Sequence, residues 1–331
     1  PGMNYFQSGG HGTTAGIQLR GLPKRYSTVY IDGVKMSDPS TSDNSFYFSS
    51  IMNSAVDRVE ILRGSQSSLY GSSAIGGTIN IYTKKGGKGK NKKFEIINGS
   101  NGTNNLILSY DGANENQDYY IGFNKFITDG ISAMNNDTKN FSDNDKYKNE
   151  GLIANYGYKI NEKLKFESGL RYSDSFLNYD EVKIGRTDLN NSTDDAELSY
   201  NLRLIHENGK FKNSLVYNKT DIERLTNTYQ NNSKNYFGER DAIYLLGEYN
   251  FNFDTKVVYG ADHEIDYSNY KDDWSGLYEN HSEFINSQYF DFQFRPKEKL
   301  YSTIGFRRDD HSIAGDHTTG RVTIAYKLDS L

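Results

Sequence analysis

From about residue 94 onward, apolar and polar side chains alternate along the chain, and this period of two constrains the fold more than any other feature. In KVVYGADHEIDY, Val257, Tyr259, Ala261, His263, Ile265 and Tyr267 share one face; Val258, Gly260, Asp262, Glu264 and Asp266 share the other. In KLKFESGLRYSD the faces are Leu164, Phe166, Ser168, Leu170 and Tyr172 against Lys165, Glu167, Gly169, Arg171 and Ser173. RVTIAYKL divides the same way, with Val322, Ile324, Tyr326 and Leu328 opposite Arg321, Thr323, Ala325 and Lys327. The pattern predicts about twelve strands with one apolar and one wet face each. Tight turns (GANENQD, KINEKL, HENGKF, FNFDTK, RPKEKL) alternate with long polar loops expected near 129–147, 175–194, 223–238, 269–282 and 309–317. That rhythm belongs to an up-and-down barrel whose two rims differ. No amphipathic helix or second sheet is readable that would cover the apolar face, so lipid is the expected cover.

Composition narrows the class. Mean hydropathy is −0.78 and 24% of residues are charged, so no apolar run reaches the roughly 18 residues of a transmembrane helix. With 27 Tyr and 18 Phe the chain is too aromatic for disorder. Tyr and Phe recur at positions expected near strand ends (Tyr158, Tyr172, Tyr200, Tyr217, Tyr249, Tyr267, Phe294, Tyr326), as interfacial girdles require. There is no cysteine, which removes disulfides, thiolate zinc sites and a Cys nucleophile together. A net charge of −5 gives no basic face for nucleic acid. The basic run KKGGKGKNKK reads as a solvated linker over 85–93.

Residues 1–84 do not follow the barrel rhythm. They hold short strand-like runs, GIQLRG, STVYIDGV, DRVEILRG and GTINIYTK, joined by Gly/Ser loops. The glycine-rich part, GSQSSLYGSSAIGG, has neither GxxxxGK[ST] nor GxGxxG, and a strand follows it, so it is not a nucleotide-binding loop. The six histidines show no metal-ligand spacing, and no GxSxG elbow is present, so no catalytic constellation is found.

PGMNYFQSGGHGTTAGIQLRG, then VYIDGV, then VDRVEILRGSQSSLYGSSAIGGTINIYTKK together resemble the second half of the plug of a TonB-dependent outer-membrane receptor. Within that family the sequence is most similar to the vitamin B12 transporters, helped by FRRDDHSIAGDHTTGRVTIAY near the end. The resemblance implies an all-β dominated fold: the C-terminal half of a plug domain over 1–84, a linker over 85–93, and a partial transmembrane β-barrel over 94–331, about half of a barrel of about 22 strands. It implies an internal piece of a receptor, without the TonB box, from the outer membrane of a Gram-negative bacterium. The implied activity is TonB-energised import of cobalamin, with TonB, the solute and outer-membrane lipid as partners. A ferric siderophore, haem or a glycan is the alternative cargo. A passive porin or adhesin would not need the plug motifs, and an outer-membrane enzyme would need a catalytic pair that is not readable.

The resemblance also assigns residues. Thr14, Gly16, Pro23, Thr41 and Ser42 fall where the plug's outward loops meet substrate. Arg20 and Arg63 correspond to plug arginines that lock onto barrel glutamates, with Glu60 as a nearer candidate partner; a buried pair of this kind costs most when one member is lost. Asp32 and Gly33 belong to the plug's structural motif, Gly64, Gly71, Gly76 and Gly77 serve turns and close backbone approach, and Tyr70 anchors its loop by packing. No cofactor is required. Acidic outer loops offer oxygens for calcium, with Asp180 the leading candidate beside Asp188, Asp194 and Asp195. Half a barrel would leave open strand edges, so residues 1–331 expressed alone are expected to aggregate.

Overall fold

The computed structural model describes residues 2–51, 53–64, 70–71, 74–132, 144–180, 191–228 and 232–328. Two short strands open the chain as an antiparallel pair, β1 (Met3–Gln7) and β2 (Ala15–Leu19). A four-stranded sheet follows in the order β4 (Val34–Met36), β3 (Ser27–Ile31), β6 (Gly77–Thr83), β5 (Val56–Arg63). Strands β3 and β4 close through Asp32-Gly33, whose φ values of +50° and +77° are those a two-residue hairpin turn needs. β3 and β6 run parallel, so the chain between them must cross over, and it does so through β4, two 3₁₀ turns and β5. The β-branched runs STVYI and GTINIYT suit such a buried sheet.

The core of this unit is Leu19, Val29, Ile31, Val34, Met36, Phe46, Ile79 and Ile81, and it continues into Val216 and Tyr244 of the large sheet behind it. The plug unit therefore does not own its core; part of the apolar wall belongs to the barrel. Gly77 is the tightest backbone approach in it. With φ at +139°, a Cβ there would sit 2.1 Å from the Leu62 carbonyl oxygen and 3.1 Å from Leu19 Cδ1. Gly77→Ala should destabilise the plug by about 3 kcal/mol, from backbone strain plus overpacking. Limited proteolysis of the plug in purified receptor is the check: faster cleavage is expected, and wild-type resistance would show that the strand relaxes.

Twelve strands, β7 (Gly89–Asn98) to β18 (Gly315–Tyr326), form one antiparallel sheet paired strictly in sequence order. The alternating faces behave as their sequence indicates. On β15 (Thr255–Asp272) Asp262, Glu264 and Asp266 face the plug, while Ile265 is exposed on the outer wall. On β13 (Phe211–Asn227) the outer face runs Phe211, Leu215, Tyr217 and then turns charged at Lys219, whose ammonium lies 3.0 Å from Glu239 and 3.4 Å from Asp241. Tyr217 donates to Asp241 at 2.7 Å and lies 6.2 Å from the Tyr200 ring, marking one edge of the lipid band. Phe211, Tyr249, Phe251, Phe292 and Phe294 form a chain of ring contacts at the other edge.

Three expectations change. The linker over 85–93 is shorter, because Gly89–Lys93 already pair with β8 (Asn104–Ala113) as an edge strand; lysines are common on edges, where charge discourages further pairing. The long loops expected near 223–238, 269–282 and 309–317 are mostly strand: β14 (Ser233–Asn252) has 20 residues and β16 (Leu277–Lys297) has 21. A membrane crossing takes only about 9–11 residues, so these hairpins rise well past the lipid. Once outside it, neither face needs to be apolar, and a ladder of hydrogen bonds can read as a polar loop. Tyr172, Tyr200 and Tyr217 for the same reason sit mid-strand rather than at strand ends, at the level where the outer face turns charged.

Candidate functional site

The plug segment from Val34 to Asn44 is held from the barrel side by charge. Lys35 on β4 reaches Glu264 at 2.8 Å. Arg240 on β14, only 2% exposed, donates to the Ser37 hydroxyl and to Glu264, and lies 3.2 Å from Asp266. Asn44 donates to Asp266 at 3.1 Å. A second arginine, Arg224 on β13, bridges Asp38 of the plug at 2.8 Å and Asp195 of β12 (Asn191–Asn208) at 2.7 Å. Asp38 also accepts the Ser40 N–H at 2.9 Å, which fixes the turn that follows. Further down, Arg203 donates to the Asp32 carbonyl, and Ser50 donates to Glu197, itself paired with Arg171. Asn155 holds the plug's exit, donating to Thr83 Oγ1 at 2.7 Å and to the Lys84 carbonyl at 2.9 Å.

This clamp is distinct from the plug arginines that the resemblance names. Its arginines come from the barrel, and the plug supplies Lys35, Ser37, Asp38 and backbone oxygens. Arg20 and Arg63 lie on the exposed side of the plug, with the Arg20 guanidinium beside Gly64. Glu60 is engaged by its own neighbour on β5: Arg58 Nε donates to it at 2.8 Å, and that hydrogen bond holds the Glu60 carboxyl below the usual carboxylate range. Asp32 accepts the Thr83 N–H at 2.9 Å and so ties β3 to β6. Tyr70 does anchor its segment, its ring 5.2 Å from Tyr30 and its carbonyl accepting the Tyr30 hydroxyl at 3.4 Å. Tyr30 is half-buried between plug and barrel; burial first, and then the Glu264 carboxylate, push its pKa far up, so it remains a neutral phenol. Gly71 lies beside Arg307 of β17 (Leu300–His311), while Gly76 donates its N–H to the Tyr26 carbonyl at 2.8 Å.

Two cavities flank the clamped segment. The first, about 430 Å³, is walled by the plug loop carrying Thr13 and Thr14, by Asp38 and Tyr47, and by Asp180, Asp195, Glu197 and Arg224 of the barrel. The second, about 420 Å³, lies under Thr41 and Ser42 and faces the ends of β14, β15 and β16. The structure so places Thr14 in one wall and Thr41 and Ser42 in the other. Gly16 sits behind them, where a side chain would strike the Phe6 ring, and Pro23 opens the 3₁₀ turn Lys24–Tyr26.

Of the four candidate aspartates, the three that the structure describes do not converge. Asp180 accepts from Ser132 at 3.0 Å in the first cavity. Asp195 is committed to Arg224, Asp194 points to the opposite, outer face of β12, and Asp188 lies outside the described residues. Neighbours in sequence are on opposite faces of a strand, which a loop reading of 187–197 could not show. Among the described residues no group of three or more His, Asp or Glu is arranged to hold a metal. Lys35, Asp38, Arg224 and Arg240 were missed; the only signal for the clamp was the wet row Asp262, Glu264, Asp266.

Residues 1–78 match the family described as TonB-dependent Receptor Plug Domain. The vitamin B12 transporter BtuB of Photobacterium profundum is 31% identical over 182 residues, covering 55% of this chain and 29% of that protein. BtuB of Vibrio vulnificus is 27% identical over 183 residues, 54% of this chain and 29% of that one. The chain thus spans under a third of the curated relatives it matches. Among solved structures, the siderophore receptor PirA from Acinetobacter baumannii superposes with a TM-score of 0.80 at 17% identity, over 99% of this chain and 55% of that one. The copper transporter OprC superposes at 0.76 with 16% identity, over 98% and 55%. At such identities the superpositions speak for the fold.

Proposed function

We propose that this chain, whose residues 1–78 match the TonB-dependent receptor plug family, forms part of an energised outer-membrane import receptor for cobalamin. Solute would enter the first cavity, and TonB would act on the plug. The observation that favours cobalamin over an anionic ferric siderophore is the charge of that cavity. Among the described residues its walls carry Asp38, Asp145, Asp180, Asp195 and Glu197 with one arginine, Arg224, shared by Asp38 and Asp195, while Glu197 is paired with Arg171 behind the wall. Such a pocket repels an anionic iron chelate and accepts a large amide-bearing solute, whose N–H groups can donate to carboxylates and to the hydroxyls of Thr13 and Thr14.

Cobalamin binding to the receptor in detergent, measured by calorimetry with and without calcium, tests the reading. Tight binding strengthened by calcium supports it and gives Asp180 and its neighbours a purpose as an ordering site. Absence of binding at micromolar cobalamin in folded receptor removes cobalamin as the solute. Binding of a ferric catecholate in its place would favour the siderophore alternative.

A further inference from the structure

The second cavity differs from the first in carrying, among the described residues, no cation of its own. Its titratable walls are Asp266 from β15 and Glu279, His281 and Glu283 from β16, and no described lysine or arginine lines it. Asp266 is 7% exposed; its Oδ2 takes Asn44 and Arg240, while Oδ1 is buried without a hydrogen-bond partner. Arg240 is already shared with Glu264, so it does not neutralise Asp266 fully. Glu283 is met by His281 Nε2 at 3.3 Å and His311 Nε2 at 3.6 Å. Beside the carboxylates on the same sheet face stand Tyr270, the cross-strand neighbour of Glu279, and Tyr236, the cross-strand neighbour of Tyr270, rings tilted at 37° with centroids 4.9 Å apart.

Negative charge in excess, a buried carboxylate oxygen with an open acceptor site, and two phenol rings at one cavity are the features that recognise an organic ammonium group. A divalent metal fits less well. His311 Nδ1 accepts the Ile313 N–H at 3.1 Å, so in the neutral ring the proton sits on Nε2, the atom facing Glu283, and no imidazole lone pair is presented there. We propose that this second chamber, between plug residues 39–44 and the rim of β14–β16, binds an alkylammonium group, borne by the imported solute or by a free amine. The proposal rests on the import reading only for its access from outside; the chamber itself stands on its own residues.

Calorimetry of the purified receptor with tetramethylammonium and with 1,5-diaminopentane is the test, alongside cobalamin on the same preparation. A Kd of about 1 mM or tighter is expected for the amines. Tyr236→Leu should weaken tetramethylammonium about tenfold, and Glu279→Gln about threefold, with unboiled gel mobility unchanged. Amine binding that cobalamin excludes supports a shared solute site, and binding that survives cobalamin saturation supports a free-amine site. No amine binding up to about 10 mM, or binding indifferent to both substitutions, overturns the proposal. Calcium binding in place of either amine overturns it as well. Loss of cobalamin binding with amine binding retained would defeat the cobalamin reading and leave the chamber standing.

Discussion

Arg240→Ala should release the plug from the barrel wall. The guanidinium is 2% exposed and satisfies Ser37 and Glu264 while approaching Asp266; its removal leaves Glu264 with Lys35 and leaves the Asp266 carboxylate with the neutral Asn44 amide. Truncating one member of such a set costs about 3–5 kcal/mol, because the remaining charge is stranded rather than because the pair was worth that much. The cost falls on plug docking, so the barrel should still insert while the plug becomes protease-sensitive and cells become permeable to antibiotics too large for porins. Arg240→Met combined with Glu264→Gln and Asp266→Asn removes both signs of charge and should recover much of the loss; the difference from the single change measures the coupling. Wild-type protease resistance in Arg240→Ala would mean that the apolar contacts around Val216 hold the plug without the clamp.

Residues 1–331 expressed alone should fail to give a stable membrane protein. Among the described residues the sheet runs from β18 to β7 without closing, so each of these strands has one neighbour. In lipid every unpaired backbone group costs several kcal/mol, and an open edge presents a row of them. In water the same edges, with Val322, Ile324 and Tyr326 exposed on β18, would template pairing between copies. Refolding into detergent, followed by an unboiled gel and size exclusion, should give aggregate. A monodisperse, heat-modifiable species would show that the two edges find each other or another cover.

The barrel was legible because lipid imposes a two-sided pattern on every crossing, and runs such as 256–267 keep it without error. STVYIDGV reads as one strand-like run, and only the structure shows that Asp32-Gly33, with two positive φ values in succession, breaks it into β3 and β4. What failed lies where those constraints lapse. Above the membrane neither face of a strand must be apolar, so β14 and β16 looked like loops over their outer halves. Inside the lumen, Glu264 and Asp266 looked like an ordinary wet face, since nothing in one strand reveals that its water is replaced by Lys35 and Arg240. The clamp arginines on the barrel were not readable, because which side carries which sign depends on packing between segments some 200 residues apart. Asp194 and Asp195, adjacent in sequence, are opposed in space because side chains alternate across β12, which a loop reading does not reveal.

Uptake of labelled cobalamin by cells relying on this receptor, with and without TonB and with and without a proton uncoupler, tests the central claim most directly. The proposed import reading predicts that surface binding persists in every condition while accumulation occurs only with TonB and an intact gradient. Accumulation that continues without TonB would make the molecule a passive pore and contradict the account.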